Sequence, residues 1–271
     1  MLSISATQNP SSTAPFSEEE FAPQNTITIL AKRCLSEFAV SLALAAICCC
    51  FIATPAAAMS IATGLVVQLV ISLILKITLH IINANPQNFP EQSIASAVKW
   101  ADAYCFVSGS VRNAQVVVHE IGHATAAYAL LRNPKATITL FPFVGGVTSY
   151  WVKQITWLGK KIGSRNIHPI IAGAGPACSL AFSTVFLGLG LMKQRTSPQK
   201  SRILIVSGLL DYLGHIRYAL SALNTPLNRL SHDFVALWQL GGIHPTVAAI
   251  TMATIPILIL AGYAYERYVS S

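Results

Sequence analysis

A short stretch of the chain contains three side chains that together can bind and use a metal ion. His119, Glu120 and His123 form the pattern His-Glu-x-x-His inside an apolar run that is compatible with a helix. Residues four positions apart share one face of a helix, so both imidazoles can bind a single Zn²⁺. Glu120 lies about 100° around the helix from His119 and can reach a metal-bound water as a general base. The spacing therefore predicts a zinc site with Glu120 as its catalytic residue.

The apolar setting of this pattern strengthens the prediction. Ionisable side chains inside an apolar membrane helix are energetically costly and usually have a function, and here there are three within five residues. The structural alternative is a polar cluster that joins helices by hydrogen bonds. Such a cluster gives little reason for three ionisable side chains so close together.

A third metal ligand must come from another part of the chain, because a catalytic zinc site usually has three protein ligands and one open position. Beyond Glu120 the remaining acidic residues are Asp211, Asp233 and Glu266. Glu266 lies beside Arg267 in the C-terminal segment, where a solvent-exposed role is expected. Asp211 and Asp233 therefore remain as the acidic candidates.

Each of these two carboxylates also has a structural explanation. Asp211 lies within an apolar run, one turn before His215. This pair can hold a metal, or Asp211 can form a hydrogen bond between helices or an ion pair with Arg217. Asp233 follows a proline-containing break and begins a new helical segment, in which it can cap the first turn. His232, directly before Asp233, is a further candidate ligand.

The composition indicates what kind of elements position these residues. Of the 271 residues, 53% are hydrophobic and only 10% are charged, against about 25% charged in an average soluble domain. The net charge is +8, but the basic residues lie between apolar runs, as around membrane spans, and not in a cluster that would bind nucleic acid. We therefore expect a multi-pass integral membrane protein that contacts the lipid bilayer and has no nucleic-acid partner.

About six stretches are long and apolar enough to form a helix of about 20 residues that crosses a bilayer. They are 36–57, 60–82, 114–131, 168–192, 203–223 and 246–265. The predicted fold class is an all-α polytopic membrane protein with about six transmembrane helices and a short membrane-associated β-hairpin. Residues 1–30 are largely polar and predict a disordered tail, whereas 31–271 predict a single membrane domain.

The β-hairpin is predicted at residues 136–150. This segment is rich in β-branched and aromatic side chains, and Gly145-Gly146 is a turn signal. Open strand edges are not tolerated in lipid, so the hairpin must be shielded by protein. We expect one of its strands to pair with an unwound substrate segment by strand addition.

Two basic loops leave the membrane orientation open. Residues 132–167 contain six basic and no acidic residues, which favours the cytoplasmic side, and a second basic loop begins at Lys193. Both loops can be cytoplasmic only if 168–192 is broken or re-entrant, for which Gly173, Gly175 and Pro176 are the candidate positions; otherwise one basic loop lies on the other side.

Taken in order, these motifs resemble those of the site-2 proteases, the intramembrane zinc metallopeptidases. The His-Glu-x-x-His pattern in an apolar helix and the Gly-Gly hairpin after it match the first two elements of that family. The segment 172–180 is similar to its Gly-Pro segment, with Ser179 near the place of a frequent Asn. Asn224-x-Pro226 followed by Asp233 is similar to its Asn/Pro loop and Leu-Asp-Gly motif. The resemblance covers about residues 114–240.

The resemblance implies an intramembrane zinc metalloendopeptidase that cleaves transmembrane segments of other membrane proteins. It implies Zn²⁺ as cofactor, His119, His123 and Asp233 as metal ligands, and Glu120 as the catalytic residue. The sequence departs from the family pattern around the third ligand. The proline is one position closer to Asn224 than is usual, and the neighbours of Asp233 are His and Phe, not Leu and Gly.

Two other functions remain as alternatives. A polytopic transporter or metal-ion carrier would use further polar residues along a path, namely His80, Asp211, His215 and His244, but it would predict more acidic residues than the chain has. A catalytically inactive membrane scaffold would bind membrane proteins without cutting them, and such a protein has no need for Glu120.

Overall fold

The computed structural model describes residues 26–52, 54–85 and 92–269. The protein is mostly helical, with two small antiparallel sheets. Its helices are α1 (Thr26–Cys49), α2 (Pro55–Ala84), α3 (Gln92–Phe106), α4 (Arg112–Leu130), α5 (Trp157–Ile162), α6 (Ser164–Met192), α7 (Pro198–Ser221), α8 (Asp233–Gly241) and α9 (Pro245–Val269). A π-turn (Val107–Val111) joins α3 to α4, and a 3₁₀ turn (Ala222–Asn224) follows α7.

Four helices of the described chain are long and apolar enough to cross a membrane, fewer than the predicted six. They are Pro55–Ala84, Ser164–Met192, Pro198–Asn224 and Pro245–Val269. The other two predicted spans correspond to α1 and α4. α1 carries Lys32, Arg33 and Glu37, and α4 contains His119, Glu120 and His123, which make it too polar to qualify.

Local signals explain where several helices begin. The hydroxyl of Thr54 accepts a hydrogen bond from the Ala57 N–H at the start of α2, and Pro55 occupies the first helical position. α7 likewise begins with Pro198. The start of α1 at Thr26 lies inside the predicted tail of residues 1–30, and residues 1–25 lie outside the described part of the chain.

α6 lies between three other helices, because it packs against α4, α7 and α8. It is one helix from Ser164 to Met192 and runs through Gly175 and Pro176 without interruption. The alternative of a broken or re-entrant segment is therefore wrong, and the two basic loops lie at opposite ends of α6.

The predicted hairpin is present, but its turn lies elsewhere. Strand β2 (Thr137–Phe141) pairs antiparallel with β3 (Gly145–Ser149), and Phe141 is opposite Gly145. The turn is 142–144, where Phe143 has a positive φ of 61°, so the prediction of a Gly145-Gly146 turn is wrong. A second pair, β1 (Leu131–Arg132) with β4 (Gln154–Ile155), closes the segment that contains the hairpin.

The hairpin is held against the helices at two points. The backbone N–H of Phe143 donates to Oδ1 of Asn113 on α4 at 3.0 Å. The N–H of Leu140 donates to the carbonyl of Phe51, in the connection between α1 and α2, at 3.1 Å. β2 and β3 therefore lie against the face of α4 that carries the candidate site.

Candidate metal centre

The two histidines of the His-Glu-x-x-His pattern meet on one face of α4. Their Nε2 atoms are 3.1 Å apart. Ligand atoms of His119, Glu120 and His123 all lie within 4.8 Å of one another, in a geometry that could hold a metal ion. Glu120 and His123 are buried and His119 is half-buried. The helix therefore juxtaposes the three side chains as its periodicity requires.

Asp233 joins this cluster from a distant part of the sequence. It is the first residue of α8, and its Oδ2 lies 3.0 Å from Nε2 of His119 and 3.3 Å from Nε2 of His123. The end of α7 and the loop 225–232 bring it there. The N-cap residue of α8 is His232, and no side chain caps that helix end. The carboxylate of Asp233 is thus directed at the histidines, not at the helix backbone.

Hydrogen bonds on the far side of each imidazole determine its tautomer. Nδ1 of His123 is 2.7 Å from the carbonyl oxygen of Ile171. A carbonyl only accepts, so Nδ1 carries the proton and Nε2 has a lone pair. This is the arrangement that orients histidine ligands in metal sites.

His119 is oriented through His215 of α7. Nδ1 of His215 donates to the backbone carbonyl of Asp211 at 2.9 Å, so Nε2 of a neutral His215 accepts. That nitrogen lies 3.1 Å from Nδ1 of His119. His119 therefore donates from Nδ1 and, like His123, directs a lone pair from Nε2 towards Asp233.

When both imidazoles are neutral, three acceptor atoms converge with no proton between them. Two neutral imidazole nitrogens and a carboxylate oxygen repel one another unless a cation lies among them. Two imidazole nitrogens and one carboxylate oxygen form a donor set that is suited to binding a divalent metal ion.

Glu120 is held beside this point by β3. Oγ1 of Thr148 donates to Oε2 of Glu120 at 2.7 Å, which leaves Oε1 available. A methyl group built on Gly146 would lie 2.7 Å from Cγ of Glu120, so only glycine lets the strand approach this closely. The glycine pair therefore provides a close approach to Glu120 and does not form the turn.

Asp211 has a different set of partners from those considered in the sequence. Its Oδ1 accepts from Nη1 of Arg112 at 2.8 Å, and its Oδ2 accepts from Ser179 at 2.8 Å and Ser183 at 2.6 Å. Arg217 is not among its described ion-pair partners. Asp211 links α4, α6 and α7, and it acts on the cluster only through His215.

The remaining sequence candidates lie outside the cluster. His232 stacks on Tyr218 with ring centroids 4.2 Å apart, and its Nε2 is 3.0 Å from Oγ of Ser221. His80 lines a separate cavity, and His244 packs against Trp238. Ser179 binds Asp211. None of these contacts involves His119 or His123.

Sequence reasoning missed Thr148 as a partner of Glu120 and His215 as a partner of His119. A threonine in a β-rich segment carries no signal of its own, because that residue type is common in strands. The sequence indicates His215 only as a candidate metal ligand with Asp211 or as part of a transport path.

Comparison of the chain with protein-family models, with curated proteins and with solved structures found no match.

Proposed function

We propose that this chain is an intramembrane zinc metalloendopeptidase that cleaves transmembrane segments of other membrane proteins. The observation that carries the proposal is the convergence of His119 Nε2, His123 Nε2 and Asp233 Oδ2, with Glu120 beside them. Four apolar helices of spanning length are consistent with a site inside a membrane.

The spacing of the three ligand atoms suits zinc. Ligands bound tetrahedrally at the usual zinc distances of about 2.0–2.1 Å lie about 3.3 Å apart. The three separations here are 3.0, 3.1 and 3.3 Å. His119, His123 and Asp233 would hold the ion and leave a fourth position open, as catalytic zinc sites do.

Each residue then has a defined task. Zinc held by these residues would supply a Lewis acid that lowers the pKa of a water and polarises a carbonyl. Glu120 would accept a proton at Oε1, while Thr148 holds Oε2. His215 keeps His119 in the tautomer that binds the metal. The buried setting of Glu120 and His123 restricts access of bulk water to the site.

The outer edge of β3 is suited to hold the substrate in extended form. The N–H of Leu140 points away from β3 to Phe51, so Leu140 and Gly146 form a non-hydrogen-bonded pair. By the same alternation, the N–H groups of Gly146 and Thr148 point away from β2. Within the described residues neither has a backbone partner, and both residues lie against Glu120.

A paired measurement tests the proposal. The full chain, purified in detergent, is expected to contain about one zinc per chain by mass spectrometry and to cut a reconstituted single-span membrane protein. Glu120→Gln is expected to keep the zinc and lose the cleavage, because this glutamate is not a ligand in the pattern. Asp233→Ala is expected to lose both.

Two results would contradict the proposal. Cleavage retained by a Glu120→Gln protein free of contaminating protease would exclude this mechanism. Absence of zinc binding by the unaltered protein, even with added metal, would exclude the metal centre. Zinc and substrate binding without any cleavage would favour the inactive scaffold.

A further inference from the structure

A second site lies away from the candidate metal centre. A cavity of about 690 Å³ is enclosed by α1, the end of α2, α3 and the start of α7, and its volume is typical of small-molecule sites. Neither the metal-centre residues nor Thr148 line it. The function proposed above does not use this cavity, so what it binds is a separate question.

The acidic groups of the cavity are already paired. Nζ of Lys76 lies 2.7 Å from Oε2 of Glu37 and 2.9 Å from Oδ1 of Asp102. Nε2 of Gln199 donates to the other oxygen of Glu37 at 2.8 Å. Lys76 and Glu37 are both buried. The two carboxylates therefore form part of the wall and are not free to bind a cation.

The basic groups of the cavity, in contrast, are in excess. Four more line it, namely Arg33, Lys99, Lys200 and Arg202. In the part of the chain that the structure describes, none of the four forms a salt bridge with a carboxylate. With Lys76, the lining has five basic and two acidic side chains, a net charge of +3 when His80 is neutral. The cavity is thus electrostatically complementary to an anion.

Backbone donors add to this charge. α7 is 24 residues long and begins at the cavity with Pro198, and its N-cap residue, Ser197, makes no side-chain capping hydrogen bond. The N–H groups of Gln199 and Lys200 have no backbone partner among the described residues. Free N–H groups and the helix dipole at such a terminus favour a phosphate or carboxylate.

The rest of the cavity lining is apolar. The cavity lies near the end of the candidate span α2 and the start of the candidate span that contains α7. Leu75 and Leu79 near the end of α2, Phe106 of α3 and Ile203 of α7 contribute to it. The cavity is therefore placed where a membrane surface would meet these helices. An anionic head with an attached apolar chain matches both parts of this lining.

We propose that this cavity binds a phosphate-bearing anion, with the phosphate at Lys200, Arg202 and the start of α7. A free phosphate and a phospholipid head group share this chemistry. The apolar walls favour the phospholipid, whose acyl chains would follow Leu75 and Leu79. Basic pockets between membrane helices bind anionic lipid head groups by the same interactions.

Three probes distinguish the sources, with the full chain in a neutral detergent. They are dioctanoyl-phosphatidylglycerol, dioctanoyl-phosphatidylcholine and inorganic phosphate, and binding is measured by calorimetry. The anionic lipid is expected to bind at least about tenfold more tightly than either of the others, because only it combines net charge with apolar chains. Equal binding of the zwitterionic lipid, or of inorganic phosphate, would overturn the assignment to an anionic lipid.

Paired variants locate the site. Lys200→Gln/Arg202→Gln is expected to weaken binding of the anionic lipid by about tenfold or more. Lys160→Gln/Lys161→Gln removes the same charge on α5, outside the cavity, and is expected to leave binding unchanged. An equal loss of lipid affinity in the two double variants would overturn the placement of the binding site in this cavity. If the first variant has a lowered melting temperature, Lys99→Gln alone is expected to weaken binding, and its failure to do so would count against the proposal.

Discussion

A methyl group built on Gly175 of α6 would lie 2.2 Å from Nε2 of His123. That nitrogen is the atom that faces His119 and Asp233, so the helix crossing of α4 and α6 leaves no space for any other side chain at this position. The Gly-Pro segment thus contributes to the candidate metal centre by letting the side chain of His123 approach the backbone of α6.

Gly175→Ala is therefore expected to displace His123 and lower the zinc content to well under one per chain. Gly188→Ala, on the same helix, is the matched control, because a methyl group there meets no atom within 4 Å. The control is expected to keep its zinc and to be slightly more stable, by up to about 1 kcal/mol, because alanine favours a helix over glycine. Equal zinc content in the two variants, measured by mass spectrometry, would show that His123 is not a ligand.

His215 is expected to act by positioning His119. His215→Ala removes the acceptor for Nδ1 of His119 and is expected to weaken zinc affinity by roughly 10–100-fold, as loss of such a partner commonly does. His215→Gln is expected to restore part of the affinity through its carbonyl oxygen. Competition with a fluorescent chelator measures both. His232→Ala is the control, and an equal loss of affinity there would contradict the positioning role.

Asp211 is expected to matter for stability more than for metal binding. Asp211→Ala leaves Arg112 and the Ser179 hydroxyl without their acceptor, whereas Ser183 keeps the carbonyl of Ser179. The expected cost is about 3 kcal/mol, near the low end for broken buried pairs because Arg112 is 35% exposed. A lower midpoint of thermal unfolding, with zinc per folded chain unchanged, is the expected result. Glu266→Ala removes an exposed carboxylate and should change neither quantity. Loss of zinc from folded Asp211→Ala protein would instead indicate that Asp211 is a ligand.

The outer edge of β3 can be tested with prolines at a cross-strand pair. Ile138 and Thr148 face each other in a non-hydrogen-bonded position, so a proline at either removes an outward-pointing N–H and leaves the hairpin ladder intact. Thr148→Pro is expected to lose cleavage, and Ile138→Pro to retain most of it.

Thr148→Val separates the backbone effect from the loss of the hydroxyl on Glu120. It is expected to slow cleavage by roughly tenfold, the value of one hydrogen bond to a charged group. Cleavage by Thr148→Pro at the rate of Thr148→Val would show that substrate does not pair with β3.

The sequence could predict features that depend on local spacing, and it could not predict contacts between distant helices. The i, i+4 spacing places His119 and His123 on one face, and the proline-containing break places Asp233 at the start of α8; the structure has both arrangements. The ion pair of Arg112 with Asp211 joins residues 99 positions apart. Nothing in local periodicity indicates which side chains meet when α4 packs beside α7.

The length and composition of the helices confirm four of the six predicted spans, and α4 is not among them. The apolar run 114–131 predicts a span, but the helix that it forms presents Asn113, Gln115, Glu120 and His123 to the protein interior. Of its large apolar side chains, Val117 and Leu130 are buried, whereas Ile121 and Tyr128 are exposed. The mean hydropathy of α4 is therefore low because of polar side chains that face the protein interior.

The π-turn between α3 and α4 also determines which neighbouring helices the side chains before and after it contact. The N–H of Arg112 donates to the carbonyl of Val107, five residues earlier. A π-turn accommodates about one residue more than an α-helical turn, which corresponds to about 100° of rotation about the axis. The half before the turn directs Asp102 at Lys76 of α2, and the half after it directs Arg112 at Asp211 of α7. One inserted residue thus determines the angle about the helix axis between Asp102, which lines the cavity, and Arg112, which binds Asp211 near the candidate metal centre.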